Sequence, residues 1–205
     1  YWQLTYEGMK HYDPVSLRPA MRSYTIYVDA ISKVFASTGL RVGWSLGPAP
    51  VIQKMKALLS HFGGWAPMAE QKAVARYLMD MQDIDNYLSR FRAALQERLV
   101  RLHEGIQRMK AKGLRVDSIA PQAAIYLTLC INVSGMLSKN GSRLHNQNDV
   151  TAYLLHRARL ALVPFHAFGD DAASPWYRLS VGTCRLEEID DMLSLLEEAL
   201  QELHQ

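Results

Sequence analysis

The chain has 205 residues, 49% of them apolar, with 23 basic and 20 acidic side chains giving a formal net charge of +3. That length and apolar content support one large globular body or two smaller ones. The mild, scattered charge argues against nucleic acid or an anionic membrane as a partner, and no apolar run approaches the roughly 20 residues of a bilayer span.

In chain order, Ser23 to Asp29 is aromatic and β-branched, and Arg41 to Gly47 ends in Gly-Pro. Both read as buried strands with a lysine-bearing loop between them. Pro50 opens a helix to about Ser60 with Val51, Met55 and Leu58 or Leu59 on one face. His61-Phe62-Gly63-Gly64-Trp65-Ala66-Pro67 breaks it. Helical periodicity returns from Met68 to Met81 and again from Asp85 to Lys112, stopped by Gly113. The second stretch exceeds the usual 8 to 20 residues, which suits a connector between two domains, here 1–90 and 91–205.

A short strand near Leu114 to Val116 and a stronger one over Ala124 to Ile131 come next, then a polar loop from Ser134 to Asn148. A helix over Asp149 to Arg159, strands at 160–163 and 177–181, and a final helix over Leu186 to Leu203 complete the chain. In that last helix Leu186, Ile189, Leu193, Leu196 and Leu200 form an apolar stripe. Strands and helices alternate, so the fold class is α/β or α+β. Cys130 and Cys184 lack CxxC spacing and read as reduced core thiols of a reducing compartment. Asn132-Val133-Ser134 is a chance sequon, and the seven histidines match no metal-ligand spacing.

The chemistry concentrates in ISKVFASTGLRVGW, Ile31 to Trp44. A lysine at a loop end is ordinarily a solvated charge. Lys33, however, lies just beyond a strand end, where α/β folds place ligands, and has Ile31, Val34 and Phe35 as neighbours. An apolar setting disfavours the charged amine and favours a nucleophile that attacks a carbonyl. Arg41 lies between Gly39 and Gly43, with Ser32, Ser37 and Thr38 close in sequence, a donor set suited to a phosphate.

Ser32-Lys33, five residues, then Thr38-Gly39-Leu40-Arg41-Val42-Gly43-Trp44 resembles the lysine motif of the class I/II aminotransferases. These are fold-type I enzymes dependent on pyridoxal 5′-phosphate (PLP). The resemblance implies that Lys33 forms the Schiff base with PLP and shuttles the substrate α-proton, while Arg41 and Ser32 contact the cofactor. Tyr1-Trp2-Gln3-Leu4-Thr5-Tyr6 is similar to the segment that begins at the tyrosine of the family's Asp-x-x-Tyr motif, which makes Tyr1 the hydrogen-bond donor to the cofactor O3′. Pro121 to Leu127 resembles the Pro-x-Gly-x-Phe-Tyr-Leu strand, with Ala123 for glycine, and Val163 to Gly169 resembles the Val-Pro-Gly-x-x-Phe-Gly turn, with Phe165 for glycine. Trp176 to Ser180 is similar to the strand whose arginine, here Arg178, binds the substrate α-carboxylate.

The resemblance implies the end of the large-domain mixed sheet plus the small domain of a PLP-dependent transferase fold. It further implies a cytoplasmic homodimer acting on amino acids and 2-oxo acids. The family's aspartate partner of the pyridine nitrogen falls three residues before Tyr1, outside the 205 residues, so the chain alone is expected to be inactive, as the C-terminal half of a longer enzyme. Ala30 stands where some members have a phosphate-binding serine, and Ser60 where dicarboxylate-specific members have an arginine given to the neighbouring subunit. The alternatives are a C–S β-lyase or synthase on the same fold, and a truncated, non-catalytic fragment.

Overall fold

The computed structural model describes residues 1–205. Asp13 accepts hydrogen bonds from the amides of Val15 and Ser16 and so starts one helical turn, α1 (Pro14–Leu17). A 3₁₀ turn over Pro19–Ser23 takes up the first residue that the sequence pattern assigns to a strand, and Tyr24, Thr25 and Ile26 after it are irregular. That strand, β1, is therefore short, Tyr27–Ala30, and runs directly into a one-turn helix, α2 (Ile31–Val34). After a second 3₁₀ turn, Thr38–Leu40, comes β2 (Gly43–Leu46), antiparallel to β1 with Asp29 opposite Trp44 and Ala30 opposite Gly43.

Gly43 is required by that pairing, because a Cβ there would sit 2.9 Å from the Asp29 carbonyl oxygen. The reading of both strands as buried does not hold: Val28 is 70% and Leu46 62% exposed. Strands β1 and β2 pair only with each other, and each face of this ribbon keeps an apolar side chain in solvent.

Three helices come next: α3 (Ala49–Phe62), α4 (Met68–Tyr77) and α5 (Met81–Ala111). The left-handed cap at Gly63 ends α3, and Pro67 precedes α4. No residue of α3 is buried. At 31 residues, α5 is about 46 Å long, and Gly113, at φ 87°, terminates it.

The chain divides into two compact units, Tyr1–Arg92 and Ala93–Gln205, with the division inside α5. The first unit is held by two small clusters, Ile31, Val42 and Val74, and Val34, Ile84 and Leu88, besides the buried Leu4 and Tyr6.

The second unit contains an antiparallel sheet ordered β3 (Val116–Ser118), β4 (Tyr126–Ile131), β6 (Trp176–Ser180), β5 (Val163–Pro164). Strict alternation puts Leu127, Leu129 and Ile131 of β4 and Tyr177 and Leu179 of β6 inside. Helix α6 (Gln147–Arg157) starts two residues earlier than its sequence pattern indicates, because the Asn146 side chain caps the amides of Asn148 and Asp149. Helix α7 (Ile189–Gln201) buries Ile189, Leu193, Leu196 and Leu200 as the stripe requires, while Leu186 lies in a preceding 3₁₀ turn. Cys130 and Cys184 are free and half-buried rather than core residues.

Candidate active site

The link from β1 to β2 carries Ser32, Lys33 and Arg41. Ile31 and Val34, three apart on one helical turn, share its inward face and are each 3% exposed. Lys33 therefore points the other way and is exposed. This corrects the expected apolar enclosure: the hydrophobic neighbours anchor the turn instead of surrounding the amine. None of the chain's ion pairs engages Lys33. The Ile31 amide donates to the Val42 carbonyl at 3.3 Å, fastening the lysine turn to the segment that carries Arg41.

Arg41 does not begin a strand. It closes the Thr38–Leu40 turn in the left-handed region, at φ 55° and ψ 40°. Its Nη1 donates to the Thr38 carbonyl at 2.9 Å, and it has no carboxylate partner. Of its two flanking glycines, Gly39 faces open space. Ser32 and Arg41 line one cavity of about 550 Å³, with Ser45, Trp44 and Trp65 also on its wall. The Ser37 hydroxyl is already spent on the Phe35 carbonyl.

The Tyr1 carbonyl accepts from the Leu4 amide at 2.8 Å, a turn anchored by Leu4 at 0% and Tyr6 at 2% exposure. Burial pushes the Tyr6 phenol up to about 12. Between these anchors, the Trp2 indole Nε1 donates to Asp29 Oδ2 at 2.8 Å. The same carboxylate accepts from the Ala30 amide at 2.8 Å and lies 3.4 Å from the Tyr27 hydroxyl. Burial raises the Tyr27 pKa, and the nearby Asp29 charge adds to the rise.

In the second unit, Thr128 of β4 faces Arg178 of β6, so Tyr126, two residues along, shares the Arg178 side of the sheet. The guanidinium carbon lies 4.5 Å from the Tyr126 ring centre and 4.6 Å from that of Phe168. Two aromatic faces thus hold the fork, and no acidic side chain occupies it. Phe165 meets Phe168 edge-on at 6.3 Å, so the bulky side chain at the glycine position of the turn buttresses a ring that holds Arg178.

The first unit thus carries a lysine and an arginine on one short link, the second an uncompensated guanidinium on a rigid strand, and residues 1–196 match the family model described as Aminotransferase class I and II. The chain belongs to that family. It is 30% identical over 204 residues to the aspartate aminotransferase of Rhizobium meliloti strain 1021, covering 99% of this chain and 45% of the relative. A crystal structure of a Rhizobium meliloti aspartate aminotransferase aligns with a TM-score of 0.89 at 28% identity, covering 100% of this chain and 48% of that one. An aromatic aminotransferase from Pyrococcus horikoshii OT3 aligns with a TM-score of 0.85 at 25% identity, covering 98% and 49%.

The aminotransferase chain spans about half the length of the curated relatives it matches. It has the α/β architecture of its structural neighbours, and no helix is long and apolar enough to cross a membrane. The sequence places Tyr126 and Phe168 in the Pro121–Leu127 and Val163–Gly169 motifs but assigns neither a role. The alternation of β4 carries a signal for Tyr126, which must face away from buried Leu127. Phe168 sits in an irregular turn, Phe165–Phe168, where no periodicity marks a partner.

Proposed function

We propose that this chain supplies the reactive lysine, a phosphate anchor and a carboxylate anchor of a PLP-dependent aminotransferase. The observation that carries the reading is that Lys33, Ser32 and Arg41 share one tethered link with neither cation neutralised by a carboxylate. The donor set fits the cofactor: an amine for an aldehyde, a guanidinium and a hydroxyl on one cavity wall for a phosphate. PLP, when bound, supplies an aldehyde that takes up amino groups and an aromatic ring that accepts the electron pair left at the substrate α-carbon.

In this reading the Lys33 amine binds the cofactor and moves the proton at the α-carbon of the amino acid. Arg41 and Ser32 hold the phosphate, Tyr1 donates to the 3′-oxygen, and Arg178 grips the substrate carboxylate with both arms of its fork. The substrates are an amino acid and a 2-oxo acid. The enzyme is a homodimer in the cytoplasm; exposed Phe62 and Trp65, at 82% and 49%, support a partner surface, and the two free thiols support a reducing compartment.

The test uses the full-length protein. Wild type is expected to show cofactor absorbance in the visible and, without an acceptor, to release one equivalent of 2-oxo acid per site and then stop. Lys33→Ala should lose both. Continued turnover with ammonia release would identify an elimination enzyme instead, and an unchanged spectrum in Lys33→Ala with retained turnover would refute the assignment of the lysine.

A further inference from the structure

We propose that Asp29 is a positioning residue that ties the Tyr1 segment to the Lys33 turn. The inference rests on the cofactor reading above and names a residue which that reading does not use. One carboxylate oxygen, Oδ2, accepts from the indole of Trp2, the residue next to Tyr1, at 2.8 Å. The other, Oδ1, accepts from the Ala30 amide at 2.8 Å. Ala30 is the N-cap of α2, the turn that presents Lys33. Asp29 is thus a junction between the chain start and the turn bearing the lysine.

The alternatives for so placed a carboxylate are few. It makes no ion pair, and it is half-buried, so its acceptor capacity goes to two neutral N–H donors and the Tyr27 hydroxyl. Leu4 and Tyr6 are buried and set the depth of the segment. Hydrogen bonding is directional, so the Trp2 to Asp29 bond sets its lateral register. A wall shared by Trp2, Gln3, Asp29, Ala30 and Trp44 encloses a cavity of about 190 Å³, so packing alone leaves room for the segment to shift. A hydrogen bond delivered by Tyr1 is sensitive to such a shift, because its strength falls steeply with geometry.

The test compares four variants of the cofactor-loaded full-length protein: Tyr1→Phe, Asp29→Ala, Trp2→Phe and the Asp29→Ala/Trp2→Phe double. The readout is the pH midpoint of the cofactor's visible absorbance. A donor to the 3′-oxygen stabilises its deprotonated form, so losing the donor moves the midpoint upward. Tyr1→Phe is expected to raise it by about one pH unit, the scale of one lost hydrogen bond. Asp29→Ala and Trp2→Phe should each raise it part of that way, with the double no further than the larger single.

Trp2→Phe keeps the Asp29 charge, so a shift in Asp29→Ala with none in Trp2→Phe would mean an electrostatic effect and overturn the positioning role. In the cofactor-free protein both single variants should speed amide exchange at Leu4 and not at Leu88; unchanged exchange at Leu4 would also overturn it. If Tyr1→Phe itself leaves the midpoint unmoved, the cofactor reading of Tyr1 fails, an outcome distinct from a shift confined to Tyr1→Phe, which sinks the Asp29 role alone.

Discussion

Arg178 is held by two rings and by no acid. A guanidinium that must receive a carboxylate loses affinity if it first has to leave another one, and it loses entropy if it is floppy. Stacking between Tyr126 and Phe168 fixes the plane of the fork while leaving its N–H donors available. Each cation–π contact at such a site is worth about 1 kcal/mol. Phe168→Leu in the full-length protein should therefore raise KM for the amino acid about fivefold. Because Phe168 is 57% exposed, its Tm should scarcely change. Arg178→Lys keeps the charge but loses fork and stack together, and should cost at least tenfold more in kcat/KM. Steady-state kinetics beside thermal unfolding checks both. At this scale the residue types at 33, 41 and 178 were legible in the sequence, but their surroundings were not. The apolar neighbours of Lys33 suggested enclosure, and only the handedness of the turn decides that Ile31 and Val34 face inward while the amine faces out.

Elements were legible where one periodicity ran unbroken. The stripe of α7 and the alternation of β4 specify their buried residues, since each packs inside its own unit. The β1–β2 ribbon misled because its composition reads as a buried sheet, while the chain provides no third strand to pair with it. Close packing between α5 and α7 offers a sharper check. A Cβ at Gly105 of α5 would collide with Leu193 Cδ1 and lie 2.6 Å from its Cδ2 and 3.0 Å from its Cγ. Leu193 is only 7% exposed and has little room to yield. Gly105→Ala gains about 1 kcal/mol of helix propensity but meets overpacking of about 1 to 3 kcal/mol, so the net effect should be a lower urea midpoint. In a Leu193→Ala background the same change should cost nothing further.

Over the whole chain the cores are unequal. Eight buried apolar residues fall within Tyr1–Arg92 and 25 within Ala93–Gln205. The first unit also keeps Val28, Leu46, Leu58 and Phe62 more than half exposed. Expressed separately, residues 93–205 should unfold in one cooperative urea transition, whereas residues 1–92 should bind an apolar dye and melt without a clear midpoint. A cooperative transition in the shorter piece would show that its two small clusters suffice. This asymmetry was not legible from composition, because apolar residues are plentiful in both parts and only the topology determines which of them find partners.

The left-handed backbone of Arg41 sets stability against the proposed phosphate contact. A side chain at φ 55° costs roughly 1 kcal/mol relative to the same residue in a relaxed region. Arg41→Gly should relieve that cost and leave the full-length protein at least as resistant to heat, while abolishing retention of the cofactor on dialysis. A screen that ranked variants of this protein by melting temperature alone would therefore favour removing the proposed phosphate anchor.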